Sequence, residues 1–292
     1  MVNALPVKDG WGPLPSLEAY SQALPSRCLG AVYVRTAAGF FSVIAGTKTG
    51  LYRLNATTLA WDDISGAGGP FNVADADRWS FARFGQLLVA TQINNDPQVY
   101  DIDAGSNFAP MGGNPPRAKY AWAAGSFLVL GHLQGLPSRC QWCGLEDLSF
   151  WEVGKRGSDY QDLPDGEDIT GGIPEPQGAV ILQRRAIRQM RFMGGEYTFG
   201  FTVINPARGC VAPHSIVQIR AGDYVYLTED GFFRGSQGQA IGAERVDRTF
   251  LNLADLDDFA LVRGVNDPIE KTVWWQFTRA GLATQNLIGY DW

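Results

Sequence analysis

Charge is scarce in this chain, and histidine is scarcer. Only 18% of the 292 residues are Asp, Glu, Lys or Arg, and only two are histidine. His132 and His214 have no matching partners in sequence and read as structural residues. The net charge of −6 argues against a general nucleic-acid binder held by phosphate neutralisation. Cysteine is limited to Cys28, Cys140, Cys143 and Cys210. A chain this long with so few cysteines is not a disulfide scaffold, and all four are expected as free thiols in a reducing cytosol. No apolar run reaches the ~18 residues that a membrane helix needs. No basic-then-apolar leader opens the chain. These absences predict a soluble protein made in the cytoplasm.

Motifs of catalysis and cofactor binding are missing too. There is no G-x-S-x-G nucleophile elbow, no P-loop and no dinucleotide fingerprint. Gly-rich pieces such as "SGAGGP" (65–70) lack the strand–helix setting those motifs require. Cys140 and Cys143 form a C-x-x-C, but a zinc site needs a second pair, and Cys28 and Cys210 are isolated. The flanking sequence is strand-like, where positions i and i+3 point to opposite faces. Both cysteines therefore read as structural.

What the chain does contain is a repeated theme of short strand, turn, short strand. The segments 40–65, 79–111, 120–153, 178–204, 215–242 and 259–292 each show it. Turns are expected at Thr47–Gly50, Asn55–Thr58, Phe84-Gly85, Gly125-Ser126, Arg184-Arg185, Gly194-Gly195, Ala221–Asp223, Asn266–Glu270 and Arg279–Thr284. Units of roughly 40 residues with three or four strands each point to a β-propeller of about six blades. Kelch and WD40 consensus residues and the aspartate box of some propellers are absent. The alternative all-β architecture is a pair of β-sandwiches. Residues 1–30, with Pro6, Pro13, Pro15 and Pro25, read as an extended Pro-rich arm, leaving 31–292 for the propeller. One or two helical turns are expected within 251–262, from Leu253, Leu256, Ala260 and Leu261. Residues 154–172 show no periodicity and read as the longest loop, a length that usually carries function or an interface.

Three charged groups are candidate sites. In "TEDG" (228–231), Glu229 and Asp230 precede Gly231. An acidic dipeptide before glycine between apolar strands signals a tight hairpin with a primed turn, and too few oxygen ligands follow for a calcium loop. "DLPDGED" (162–168) presents Asp162, Asp165, Glu167 and Asp168, which could hold a cation or pair with arginine. "QRRAIRQMR" (183–191) is the one basic cluster. As a strand it would put Arg184 and Arg188 on one face and Arg185 and Arg191 on the other. A subunit interface, a face toward nucleic acid and ordinary surface pairing all remain open for it.

Several strings, taken in order, resemble one family. They are "ALPSRCLGAVYVR" (23–35), "AGTKTGLYRL" (45–54), "WSFARFGQLLVATQINNDPQVYDI" (79–102), "SDYQDLPDGEDITG" (158–171), "RGCVAPHSIVQ" (208–218), "LTEDGFFR" (227–234) and "IGAERVDRTF" (241–250). Together they resemble the tail nozzle or hub proteins, also called tail tubular protein B-like or head–tail assembly proteins, of short-tailed double-stranded DNA phages. The resemblance implies a virion tail subunit without catalytic residues, cofactor or metal. It implies a homo-oligomeric ring, usually a hexamer, below the portal and adaptor, with viral DNA passing through its lumen without sequence specificity. Arg184, Arg185, Arg188, Arg191, Asp165, Glu167, Asp168, Glu229 and Asp230 are then the candidate subunit or DNA-channel contacts. "LIGYDW" (287–292) resembles the opening of a blade, so either the N-terminal arm closes the propeller or the chain is shorter than its relatives. Two rivals remain. One is a carbohydrate-binding propeller, suggested by Trp142, Trp151, Trp274 and Trp275. The other is a hydrolytic propeller working through carboxylates such as Asp165 or Glu167.

Overall fold

The structure, a computed structural model, describes residues 4–7, 10–14, 16–195, 197–282 and 285–292, with the side chains of 5–7, 11, 243–245 and 256–258 not described. Pro15 and Thr284, and the side chains of Pro6 and Leu256, therefore lie outside the described residues.

Within the expected arm, β1 (Ala4–Val7) and β2 (Gly10–Pro13) form a hairpin that joins no other sheet. Blade I is β3 (Gly30–Arg35), β4 (Phe41–Gly46), β5 (Leu51–Leu54) and β6 (Trp61–Asp63). Blade II is β7 (Ser80–Phe84), β8 (Leu87–Gln92), β9 (Asn95–Asp101) and β10 (Ala109–Pro110). Blade III is β11 (Ala118–Ala124), β12 (Phe127–Leu133), β13 (Leu136–Trp142) and β14 (Asp159–Asp162). Blade IV is β15 (Ile169–Glu175), β16 (Gly178–Gln183), β17 (Ile187–Phe192) and β18 (Phe199–Asn205). Blade V is β19 (Val217–Arg220), β20 (Asp223–Thr228), β21 (Gly231–Arg234) and β22 (Gln239–Ala240). After a helix, α1 (Ala243–Leu253), blade VI is β23 (Arg263–Asp267), β24 (Thr272–Thr278) and β25 (Gln285–Asp291). Every sheet is an antiparallel meander in sequence order. The protein is a six-bladed β-propeller.

Two expectations shift. The loop assigned to 154–172 contains β14, which pairs with β13. It escaped the pattern because it is an outer edge strand, polar and mostly exposed, with no buried face to impose alternation. The helical turns expected within 251–262 are present as a 3-10 segment over Leu256–Leu261, but a longer helix ahead of them, Ala243–Leu253, was not expected. Its buried side is carried by Asp247 and Phe250, so the apolar spacing alone did not reveal it.

The hydrophobic core is a series of slabs between consecutive blades. Ile44 and Leu51 of blade I share a buried cluster with Leu88 and Tyr100 of blade II. Val89 of blade II packs with Leu128 and Leu130 of blade III. Trp122 and Phe127 of blade III meet Ile181 and Met190 of blade IV. Val180 and Leu182 then meet Tyr224 and Tyr226 of blade V, and Val225 and Leu227 meet Val273 and Trp275 of blade VI. Cys140 and Cys143 fall into the clusters on opposite faces of blade III, as strand alternation predicts.

A turn device recurs. In Thr47–Gly50, the Thr47 hydroxyl accepts from the Gly50 amide at 3.1 Å and donates to the Gly50 carbonyl at 3.3 Å. In Thr228–Gly231, the Thr228 hydroxyl accepts from the Asp230 amide at 3.0 Å and donates to the Gly231 carbonyl at 3.2 Å. Neither Glu229 nor Asp230 has a positive φ, whereas Gly231 has φ 132°, so the threonine hydroxyl shapes this turn in place of the primed geometry expected. Next along the chain, the Leu51 amide donates to Ser65 Oγ at 2.9 Å and the Phe232 amide to Asp247 Oδ1 at 3.0 Å. In both blades the side chain comes from the segment leading to the next blade.

Trp122 is 1% exposed and lies between Gly131 of β12 and Gly172 of β15. A Cβ at either glycine would overlap the indole. Overpacking of this kind costs about 1–3 kcal/mol. Gly172→Ala is expected to lower the urea unfolding free energy by about that amount, and unchanged stability would show that the spacing of blades III and IV is not set by this ring.

Candidate functional site

The first strand of each blade lies innermost, with β7, β11 and β15 side by side around the axis. Strand direction alternates within a blade. The start of each inner strand and the turn between second and third strands therefore lie at one end of the propeller. At that end a cavity of about 230 Å³ opens among residues of blades II to VI. Asp77, Lys119, Tyr120, His132, Asp168, Arg184 and His214 line it.

Tyr120 is the centre of this cluster. Its ring meets His132 edge-on at 5.9 Å between centroids and His214 at 6.3 Å. His132 sits at a β-bulge between β12 and β13 with φ 56°. That left-handed conformation is uncommon outside glycine, and it turns the imidazole so that Nδ1 lies 3.0 Å from the Ile169 carbonyl. A carbonyl only accepts, so Nδ1 carries the proton and Nε2 is left as an acceptor. His214 is positioned by a 3-10 turn over Pro213–Ser215. Lys119 and Asp77 form an ion pair at 3.4 Å.

Burial, followed by the positive charges of Arg78, Arg263 and Lys119, lowers the His214 pKa to about 3. Burial also lowers that of His132. Burial, with Cys210, Asp77 and Asp168, pushes the Tyr120 phenol far above its ordinary value. At neutral pH the cluster is thus a neutral His–Tyr–His stack rimmed by charges of both signs. Cys140, Cys143 and Cys210 are poor nucleophiles, since burial raises Cys140 to about 12 and Cys143 and Cys210 to about 11. Among the described residues, no group of three or more His, Cys, Asp or Glu is placed to hold a metal.

The acidic loop and the basic cluster are one unit. Arg188 pairs with Asp165, and Arg185 Nε reaches Glu167 at 2.8 Å. Gln183 Nε2 donates to the carbonyls of Leu163 at 2.7 Å and Glu167 at 2.8 Å, while Arg188 Nε donates to Gln183 Oε1 at 2.7 Å. Asp162 instead pairs with Arg139 at 2.7 Å. Arg184 and Arg185 form the turn between β16 and β17, so strand alternation does not apply to them. Arg188 is buried, whereas Arg191, on the other face of β17, is exposed. Arg184 and Asp168 reach the axial cavity. Glu229 and Asp230 are exposed on a turn at the same end, with Asp230 3.7 Å from Arg208. The grouping of His132, His214, Tyr120, Asp77 and Lys119 was not visible in the sequence, because they lie on blade III and on two separate linkers, before blade II and before blade V. The one local signal was a histidine in a strand that breaks alternation. Of the tryptophans that suggested a sugar site, Trp142, Trp151 and Trp275 are buried and Trp274 is half-buried.

No family model matches the chain, and no curated protein matches it. Among solved structures, the computationally designed Ika8 protein is 10% identical over 93% of this chain and 76% of its own, with TM-score 0.48. YCF48 bound to D1 peptide is 10% identical over 88% of this chain and 94% of its own, at 0.36. The GH74 xyloglucanase from Xanthomonas campestris is 12% identical over 94% of this chain and half of its own, at 0.28. Likenesses this distant carry nothing about activity.

Two outcomes test the site. The unfolded chain protonates His214 below pH 6.5, whereas the folded chain does so only near pH 3. The unfolded state thus binds more protons in that window, and stability falls as pH drops through it. His214→Gln is expected to flatten the dependence of Tm on pH between 6.5 and 3, measured by thermal scans; an unchanged slope would place the acid sensitivity elsewhere. Removing the buried guanidinium in Arg188→Met leaves Gln183 and Asp165 without it and should cost about 1–3 kcal/mol. Arg191→Met should stay within ~0.5 kcal/mol in the same denaturation assay.

Proposed function

We propose that this chain is a structural component of a short-tailed phage tail, one subunit of a ring below the portal and adaptor that guides or gates DNA exit. It acts by contact and shape and performs no bond chemistry. The resemblance of its sequence strings motivates the reading, and the unequal ends of the propeller support it.

The end bearing the cavity is charged, with Arg184, Arg185, Glu229 and Asp230 on its turns. The opposite end carries the turns between first and second and between third and fourth strands. There Phe40 and Phe41 of blade I, Leu145 and Val153 of blade III, and Phe192, Met193 and Tyr197 of blade IV are exposed, and Ile269 of blade VI is 85% exposed. Large apolar side chains concentrated at one end suit burial against another protein, and rings are built from such unlike surfaces meeting. A cavity of about 230 Å³ does not admit a nucleic-acid duplex. DNA would therefore pass through the lumen of the subunit ring and not along the axis of one propeller.

Mass photometry of the purified chain, alone and mixed with portal–adaptor complex, is the test. A ring or a captured complex is expected, and Phe192→Asp with Tyr197→Asp should weaken it at least tenfold. A chain that stays monomeric and is not captured by those rings overturns the proposal.

A further inference from the structure

Five seams of the propeller are closed by buried clusters shared between consecutive blades. Among the described residues, no such cluster joins blade VI to blade I. The faces that border this sixth seam follow from register. Cross-strand partners share a face. Ile44 and Leu51 face blade II, so the alternate set, Tyr33 with its partner Val43 and Arg35 with its partner Phe41, faces the seam. Tyr33 is 71% exposed and Phe41 64%. On blade VI, Val273, Trp275 and Phe277 face blade V. Val265 with its partner Trp274, and Leu287 with its partner Gln276, lie on the seam side. Val265 is 62% exposed and Leu287 41%.

We propose that the N-terminal hairpin of this same chain, β1 and β2, docks in the seam between blades VI and I as a small additional sheet. The chain already runs onto the right surface. Leu54 and Trp61 are cross-strand partners on the seam side of blade I. Trp61 Nε1 donates to the Gln22 carbonyl at 2.9 Å, and the Gln22 amide donates to the Leu59 carbonyl at 2.8 Å. From this anchor, residues 14–21 span up to about 26 Å at ~3.3 Å per residue, enough to carry a hairpin across a blade. The hairpin joins no other sheet, and an isolated two-stranded hairpin is marginal in water. Its sequence, "ALPVKDGWGP" (4–13), is mostly apolar. A partly exposed sheet face and a hairpin of mostly apolar sequence lie on one tether.

Limited trypsin digestion of the full chain reads the docking through cleavage after Lys8, between β1 and β2 in sequence. Tyr33→Asp on one side of the seam, and Val265→Asp with Leu287→Asp on the other, are each expected to speed this cleavage at least tenfold. Tyr197→Asp on blade IV should leave it unchanged. Circular dichroism checks that each variant keeps its sheets, and the substituted positions on the two sides of the seam are exposed. The rate in the unsubstituted chain should not change on dilution. Equal cleavage in the chain and both seam variants overturns the proposal. So does protection that vanishes on dilution, which would mean that the hairpin of a second copy fills the seam.

Discussion

Each of the blades II to V has two apolar faces, and the neighbouring blades cover them. That constraint organises the rest. Strands that alternate in side-chain direction send Cys140 to one slab and Cys143 to another, and leave no side of a middle blade for solvent. Each large side chain buried in a slab is worth about 1.5–3 kcal/mol of transfer, so stability accumulates at the seams and not within single sheets. Where two blades come closest, side-chain volume must be removed. Gly172 against Trp122, and Gly46 against Trp79, are places where the neighbouring blade's indole occupies the room of a methyl group.

The blades were legible because turns are written locally. Thr47–Gly50, Gly125-Ser126, Arg184-Arg185 and Ala221–Asp223 all mark the strand ends observed, since each needs only a few residues of the right kind. The outer strand β14 was not legible. An edge strand facing water has no face to pattern, and "DYQD" reads as loop until its partner β13 is known. Helix α1 was missed because its inward face depends on Asp247, whose carboxylate meets a backbone amide of blade V. No hydrophobicity pattern records such a contact.

The candidate site was the least legible part. Arginines and carboxylates that looked like separate surface features, Arg185 and Arg188 against Glu167 and Asp165, neutralise one another across the β16–β17 turn. The groups that converge on the axis, Tyr120, His132 and His214, are separated by up to 94 residues (214 minus 120). Only the closure of blades around an axis brings them together. The two ends of the propeller differ for a related reason. Turns at one end include Thr47, Arg184, Arg185, Glu229 and Asp230, and those at the other carry Phe40, Phe192, Met193 and Tyr197. A sequence read turn by turn mixes the two ends, because successive turns alternate between them.

The hydrogen bonds from Leu51 to Ser65 and from Phe232 to Asp247 bear on the order in which the molecule is made. In blades I and V, an amide at the start of the third strand finds its acceptor on the segment that follows the fourth. A ribosome that has delivered all four strands has therefore not yet delivered a finished blade. Completion waits for the next stretch of chain, so the units of folding are offset from the sheets seen by eye. A cut placed neatly between two sheets would sever part of the earlier one.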